Sequence, residues 1–75
     1  MTVYERDAAE LAARLVEEAM ERTGKAASTL GMDAGLSHNT LYEWLKKKSA
    51  PRLNHFLWLL ESAGYEFVIR RKGES

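Results

Sequence analysis

The chain has no cysteine among its 75 residues. Disulfides, a zinc ribbon and thiol chemistry are therefore excluded. It has one proline, Pro51, and no Gly/Ser/Pro-rich tract that would act as a linker. Long apolar runs are missing too: the longest is the stretch Phe56 to Leu60. That is far short of a membrane-spanning helix or a secretory signal, so a small cytoplasmic protein without membrane contact is expected. The two histidines, His38 and His55, lie far apart, and no acidic cluster completes a metal site, so neither metal nor cofactor is expected. No Ser/His/Asp set, paired-carboxylate pocket or phosphate-cradling glycine loop can be assembled. Catalysis is not expected from this chain.

What is present is a folded composition. Hydrophobic residues make up 45% and charged residues 29%. The length allows one domain, which buries only ~60% of the surface its unfolded chain exposes. Such a domain is marginal alone, and dimerisation would help it. Acids and bases cancel at 11 each, but they are unevenly placed. Residues 1–24 hold Glu5, Asp7, Glu10, Glu17, Glu18 and Glu21 against Arg6, Arg14 and Arg22. Lys46, Lys47, Lys48 and Arg52 instead crowd into one short stretch. A local positive patch bears on nucleic-acid binding more than the total does. A solvated loop is the other reading of that lysine run.

Periodicity predicts four helices, at about 3–23, 26–34, 38–47 and 52–63. On the first, Tyr4, Ala8, Leu11, Leu15 and Ala19 form one stripe and are expected to face the core. Thr2 and Glu5 have capping-box spacing, and Gly24 supplies a stop. Leu30 is the main aliphatic anchor of the second helix, and Gly35 breaks it. Ser37 is a good cap for the third, which carries Leu41, Trp44 and Leu45 on one face. On the fourth, Leu53, Phe56, Leu57, Leu60 and Ala63 are expected inward, with Leu59 at the margin and Trp58 outward. Gly64 ends it. Residues 65–71 are aromatic and β-branched, with Tyr65, Phe67 and Ile69 alternating, and read as a single β-strand. A lone strand needs a partner for its amides. The economical partner is the same strand of a second copy, paired antiparallel about a two-fold axis. Residues 73–75 read as a frayed tail.

The decisive stretch is Ala27 to Leu45, a short helix, a glycine turn, a serine cap and a second helix. Two helices that cross steeply and touch near a turn need a small residue inside the first, here Gly31. They need a residue tolerant of positive φ at the corner, here Gly35. Leu36 then plugs the angle, and Leu41, Trp44 and Leu45 supply the buried face. These requirements together describe a helix-turn-helix. The stretch AGLSHNTLYEWL resembles the turn and recognition helix of the Cro/repressor-type (XRE family) helix-turn-helix proteins. The ending PRLNHFLWLLESAGYEFVIR resembles that of small phage-type regulators and some antitoxins. Two features depart from the family: Gly31 stands where alanine is usual, and the neutral net charge is lower than in many members.

The resemblance implies a mainly α, four-helix, lambda-repressor-like domain with one C-terminal β-strand for dimer pairing. It implies a sequence-specific regulator of transcription, a dimeric repressor that inserts helix 38–47 into the major groove of a palindromic operator. An antitoxin that also binds a toxin, and a protein-interaction module without DNA binding, are the alternatives. His38, Asn39, Tyr42, Glu43 and Lys46 are the candidate base readers. Asn39 suits an adenine edge and Glu43 a cytosine amine. Each also has a plainer role: Asn39 bonding local backbone, Glu43 pairing with Lys46 or Lys47, Tyr42 packing on the second helix, His38 simply facing solvent. Ser28, Thr29, Ser37, Thr40, Lys47, Lys48 and Arg52 are the candidate phosphate contacts. Trp44 belongs to the core rather than to a stacking site. Trp58, Leu59, Tyr65, Phe67, Val68 and Ile69 form the expected homodimer interface. A strand folding back over Trp58 within one monomer is the competing arrangement.

Overall fold

The computed structural model describes residues 3–48 and 50–73. Four helices follow in order: α1 Val3–Thr23, α2 Ala27–Asp33, α3 Thr40–Leu45 and α4 Leu53–Ala63. All four stand where periodicity places them, but α2 and α3 are shorter than expected at both ends. The cap expected at Thr2, the loop expected at Ser49 and the fraying expected at Glu74 and Ser75 fall on residues outside the described ones.

One core joins all four helices. Ala12, Val16 and Ala19 of α1 meet Ala27 and Leu30 of α2, Leu41 and Trp44 of α3, and Leu59 and Ala63 of α4, with Leu36 between α2 and α3. The Trp44 and Phe56 rings approach to 6.4 Å between centroids and tie α3 to α4. Helix α1 packs chiefly on α3, and α2 on both α3 and α4.

The buried face of α1 differs from the expected one. Ala9, Ala12, Ala13, Val16 and Ala19 are buried, whereas Tyr4 is 86% and Leu11 51% exposed. Of the expected stripe only Ala19 is fully inside; Ala8 and Leu15 are half-buried. The reason is volume. Opposite α1 stands α3 with Leu41 and Trp44, so the space left admits alanines, not a second row of large side chains.

Helix α4 is turned in the same sense. Phe56, Leu59, Leu60 and Ala63 face the core at the spacing of one helical stripe. Leu59 is 0% exposed, which removes it from the expected dimer interface, and Leu53 is 66% exposed rather than inward. Leu57 is half-buried. Trp58 does face outward, its ring 5.2 Å from that of His55 between centroids and tilted by 38°. Helix α4 ends at Gly64 with φ +84°: the Tyr65 amide donates to Leu60 O at 2.8 Å and the Gly64 amide to Glu61 O at 3.3 Å. This pair of bonds satisfies the carbonyls that the last turn leaves open.

The expected strand is not formed. Among the described residues there is no β-strand, and 65–71 run as irregular chain with Phe67, Val68 and Ile69 exposed. The described elements of the chain are all helical, so these residues have no ladder to join within it. The segment does not bury Trp58 either, which stays 47% exposed. Its start is fixed by Arg22 near the end of α1. That guanidinium lies 4.8 Å from the centroid of the Tyr65 ring and donates to Ala63 O. The cation thereby also meets the negative end of α4.

The revised faces have a measurable consequence. Leu59→Ala should lower stability by about 2–5 kcal/mol and Leu53→Ala by less than about 1 kcal/mol. Urea denaturation followed by circular dichroism distinguishes the two; a larger loss from Leu53→Ala than from Leu59→Ala would mean that α4 is turned as first expected.

Candidate nucleic-acid interface

The site begins with the turn between α2 and α3. Gly35 has φ +80°, the left-handed conformation that an L side chain resists. That single reversal lets the Leu36 amide donate back to Gly31 O at 2.8 Å, and the Gly35 amide to Met32 O at 3.0 Å. The two bonds close α2 as Gly64 closes α4. They also aim the buried Leu36 into the angle between the helices. A Cβ on Gly31 would stand 3.2 Å from Ser37 O and 3.5 Å from Leu41 Cγ, so a small residue is needed there for close approach. Both glycine requirements read from the sequence are met, for the reasons given.

Helix α3 starts with a tight turn rather than a side-chain cap. The Thr40 amide donates to Ser37 O at 3.2 Å, while the Ser37 and Thr40 hydroxyls pair at 3.0 Å. Ser37 thus organises the first turn, but through its carbonyl and a hydroxyl pair, not by capping an amide with its side chain. His38 and Asn39 lie in this turn ahead of the helix instead of on it, and Asn39 holds right-handed helical dihedrals. The far end is equally tight. The Lys46 amide reaches Tyr42 O and the Lys47 amide reaches Trp44 O, after which Lys47 takes φ +58°. Lys46, Lys47 and Lys48 therefore follow α3 rather than extend it.

The division of α3 into two faces is clear. Leu41 and Trp44 are buried, and Leu45 is half-buried. His38, Asn39, Tyr42, Glu43 and Lys46 are all exposed, so every candidate base reader stands on the open side. Glu43 Oε1 lies 3.6 Å from Lys46 Nζ, so the plainer role weighed for Glu43 is realised in part. An exposed pair of this kind contributes little to stability. Among the candidate phosphate contacts, Thr29, Ser37, Lys47, Lys48 and Arg52 are exposed, and Ser28 and Thr40 half-buried. Ser28 and Thr29 occupy the first turn of α2, and Arg52 precedes α4. One cation escaped the sequence reading: Lys25 pairs with Asp33 at 2.8 Å, bracing the two ends of α2. Its only sequence signal was opposite charge on either side of a short helix.

Chemically, the surface offers amide, carboxylate, imidazole, phenol and ammonium groups on one protruding turn and helix. Among the described residues no group of three or more His, Asp or Glu is placed to hold a metal ion. No family model, curated protein or solved structure matches the chain.

Because Gly35 has open space around its missing Cβ, its replacement tests the turn alone. Gly35→Ala should cost about 1–2 kcal/mol through backbone strain, without a steric clash. A thermal or urea midpoint unchanged from the parent would show that the corner does not need the left-handed conformation.

Proposed function

We propose that this protein is a sequence-specific double-stranded DNA-binding regulator, acting as a dimeric repressor. The fold in this proposal is a lambda-repressor-like helix-turn-helix domain, with α2 and α3 as the motif. One observation carries it. The Gly31–Leu36 turn holds α3 so that Leu41 and Trp44 are buried while His38, Asn39, Tyr42, Glu43 and Lys46 stand outward together. A protruding helix of this kind fits a major groove ~12 Å wide, entering by its N-terminal end. The polar turn at His38 and Asn39 then leads.

In this reading Asn39 pairs with an adenine edge, donating to N7 and accepting from N6. Glu43 accepts from a cytosine amine, and Lys46, its neighbour, follows it along the groove. Thr29, Lys47, Lys48 and Arg52 meet phosphates and set the register without reading sequence. The acidic outer face of α1 turns away from the polyanion. Two such domains related by a two-fold axis place their recognition helices ~34 Å apart, and the operator is palindromic. Of the surfaces first assigned to that dimer, Leu59 is taken by the core. Trp58 and the segment 65–69 remain, the latter exposed from Glu66 onward; the proposed dimer is built on that segment, its backbone pairing antiparallel with that of the second subunit.

Selection of bound duplexes from a random pool at low salt tests the proposal directly. A palindromic consensus is expected; recovery of no duplex above background would end it. On the selected site, Asn39→Ala should relax preference at one base pair by about 1–3 kcal/mol and leave non-specific binding intact. Replacing Lys46 and Lys47 by alanine should flatten the slope of log affinity against log salt by about 0.9 for each phosphate left without its cation.

A further inference from the structure

The rotation of α1 that buries its alanines leaves a row of large apolar residues outside. Tyr4, Leu11 and the half-buried Ala8 and Leu15 share one side of α1. Beside them Leu53, Pro51 and Phe56 complete an apolar groove lined by Ala8, Leu11, Pro51, Leu53 and Phe56. A second uncovered apolar set is Phe67, Val68 and Ile69, the last 83% exposed. Each is a larger continuous apolar area than the separate exposed side chains Met32, Tyr42 and Trp58.

The groove borders the first half of α1, and the C-terminal segment starts at the other end of that helix. Tyr4 and Arg22 are eighteen residues apart, which is five turns of α-helix, so they share a stripe. Arg22 on that stripe holds the Tyr65 ring. The C-terminal segment therefore leaves from the far end of the same α1 stripe whose near end borders the groove. In an extended chain Phe67 and Ile69 project to the same side as Tyr65. Charge runs the same way. At the level of the groove α1 carries Glu5, Asp7 and Glu10 against Arg6 and Arg14, a weakly acidic stretch, and Ile69 is followed by Arg70 and, two residues on, Lys72.

We propose that this groove receives Phe67 and Ile69 of a second copy of the chain, with Arg70 and Lys72 of that copy meeting the Asp7 and Glu10 side of α1. A two-fold axis crossing the middle of the α1 stripe exchanges its ends. Each groove then meets the other subunit's tail, and both apolar sets of both subunits are covered at once. Such reciprocity is what closes an isologous dimer. The backbone of each tail stays available to pair with the other across the axis. The inference rests on the dimer proposed above and adds to it the surface on which the tail side chains sit. Trp58 faces the end of α2 instead and takes no part.

The chain's lack of cysteine makes a cross-linking test clean. Leu11→Cys and Ile69→Cys proteins, each made separately, are mixed, oxidised and examined by non-reducing electrophoresis and mass spectrometry. The mixed disulfide between positions 11 and 69 should dominate over either self-linked product. In parallel, sedimentation equilibrium is run on Leu11→Glu, Leu53→Glu and Ile69→Asp. All three positions are exposed in the monomer, so helicity by circular dichroism should be kept. Each change should weaken dimerisation by about 10-fold or more, as expected for uncovering one large apolar side chain. If Ile69→Asp dissociates the dimer while both groove variants associate normally, the tails meet only each other and the groove assignment is wrong, though the dimer stands. If the unmodified chain sediments as a monomer, both proposals fall. A Leu11→Cys/Ile69→Cys double variant that links within one chain, in place of between chains, overturns the groove assignment by making the chain's own tail the occupant.

Discussion

The hydrogen bond from the Leu36 amide to Gly31 O is the constraint on which the arrangement turns. It exists because Gly35 can reverse the backbone, and it brings the start of α3 against the middle of α2. The missing side chain of Gly31 allows Ser37 O and Leu41 to close in. Once α3 is held there, Leu41 and Trp44 have one direction left to point, and α1 must offer them a face of alanines. The outward display of Asn39, Glu43 and Lys46 is the other side of that packing. A glycine inside α2 costs about 1 kcal/mol of helix propensity, which is offset by the contact it permits.

What was legible in the sequence follows from whether the cause was local. Gly35 and Gly64 could be assigned because a left-handed residue after a helical stripe is a backbone requirement, independent of the rest of the chain. The faces of α3 could be assigned because only one of them is apolar. The faces of α1 could not. That helix has two apolar stripes, one of large residues and one of small, and hydrophobicity alone favours the large. Only knowing that Trp44 and Leu41 lie opposite reveals that volume selects the small one. The same non-local fact decides Leu59 against Leu53 on α4. At the candidate interface, the exposed set was legible because it is the complement of a readable core. The exact ends of α3 were not, because they depend on the backbone bonds at Ser37 and Trp44 rather than on side-chain pattern.

The C-terminal segment shows where sequence pattern and isolated structure diverge for a physical reason. Alternating aromatic and β-branched residues favour an extended chain, but extension is stabilised by a ladder, and the described residues of the chain contain no strand to supply it. Composition states a preference; only a neighbour can satisfy it. That argument, and the exposed apolar groove between α1 and α4, are the two observations on which the proposed dimer contact rests.

A neutral chain can still bind a polyanion if its charge is sorted. Here the sorting follows from the fold: α1 holds twice as many acids as bases, and the lysines gather where α3 ends. Non-specific attraction scales with the number of phosphates neutralised, and one domain of this kind offers few. The Lys46 charge is moreover shared with Glu43. Two joined domains double the contacts and make the second contact intramolecular, so affinity rises without added charge. The proposed reading thus requires the dimer for energetic reasons as well as for operator symmetry. The apolar surface that α1 and the tail leave uncovered in a single subunit is where that energy would come from.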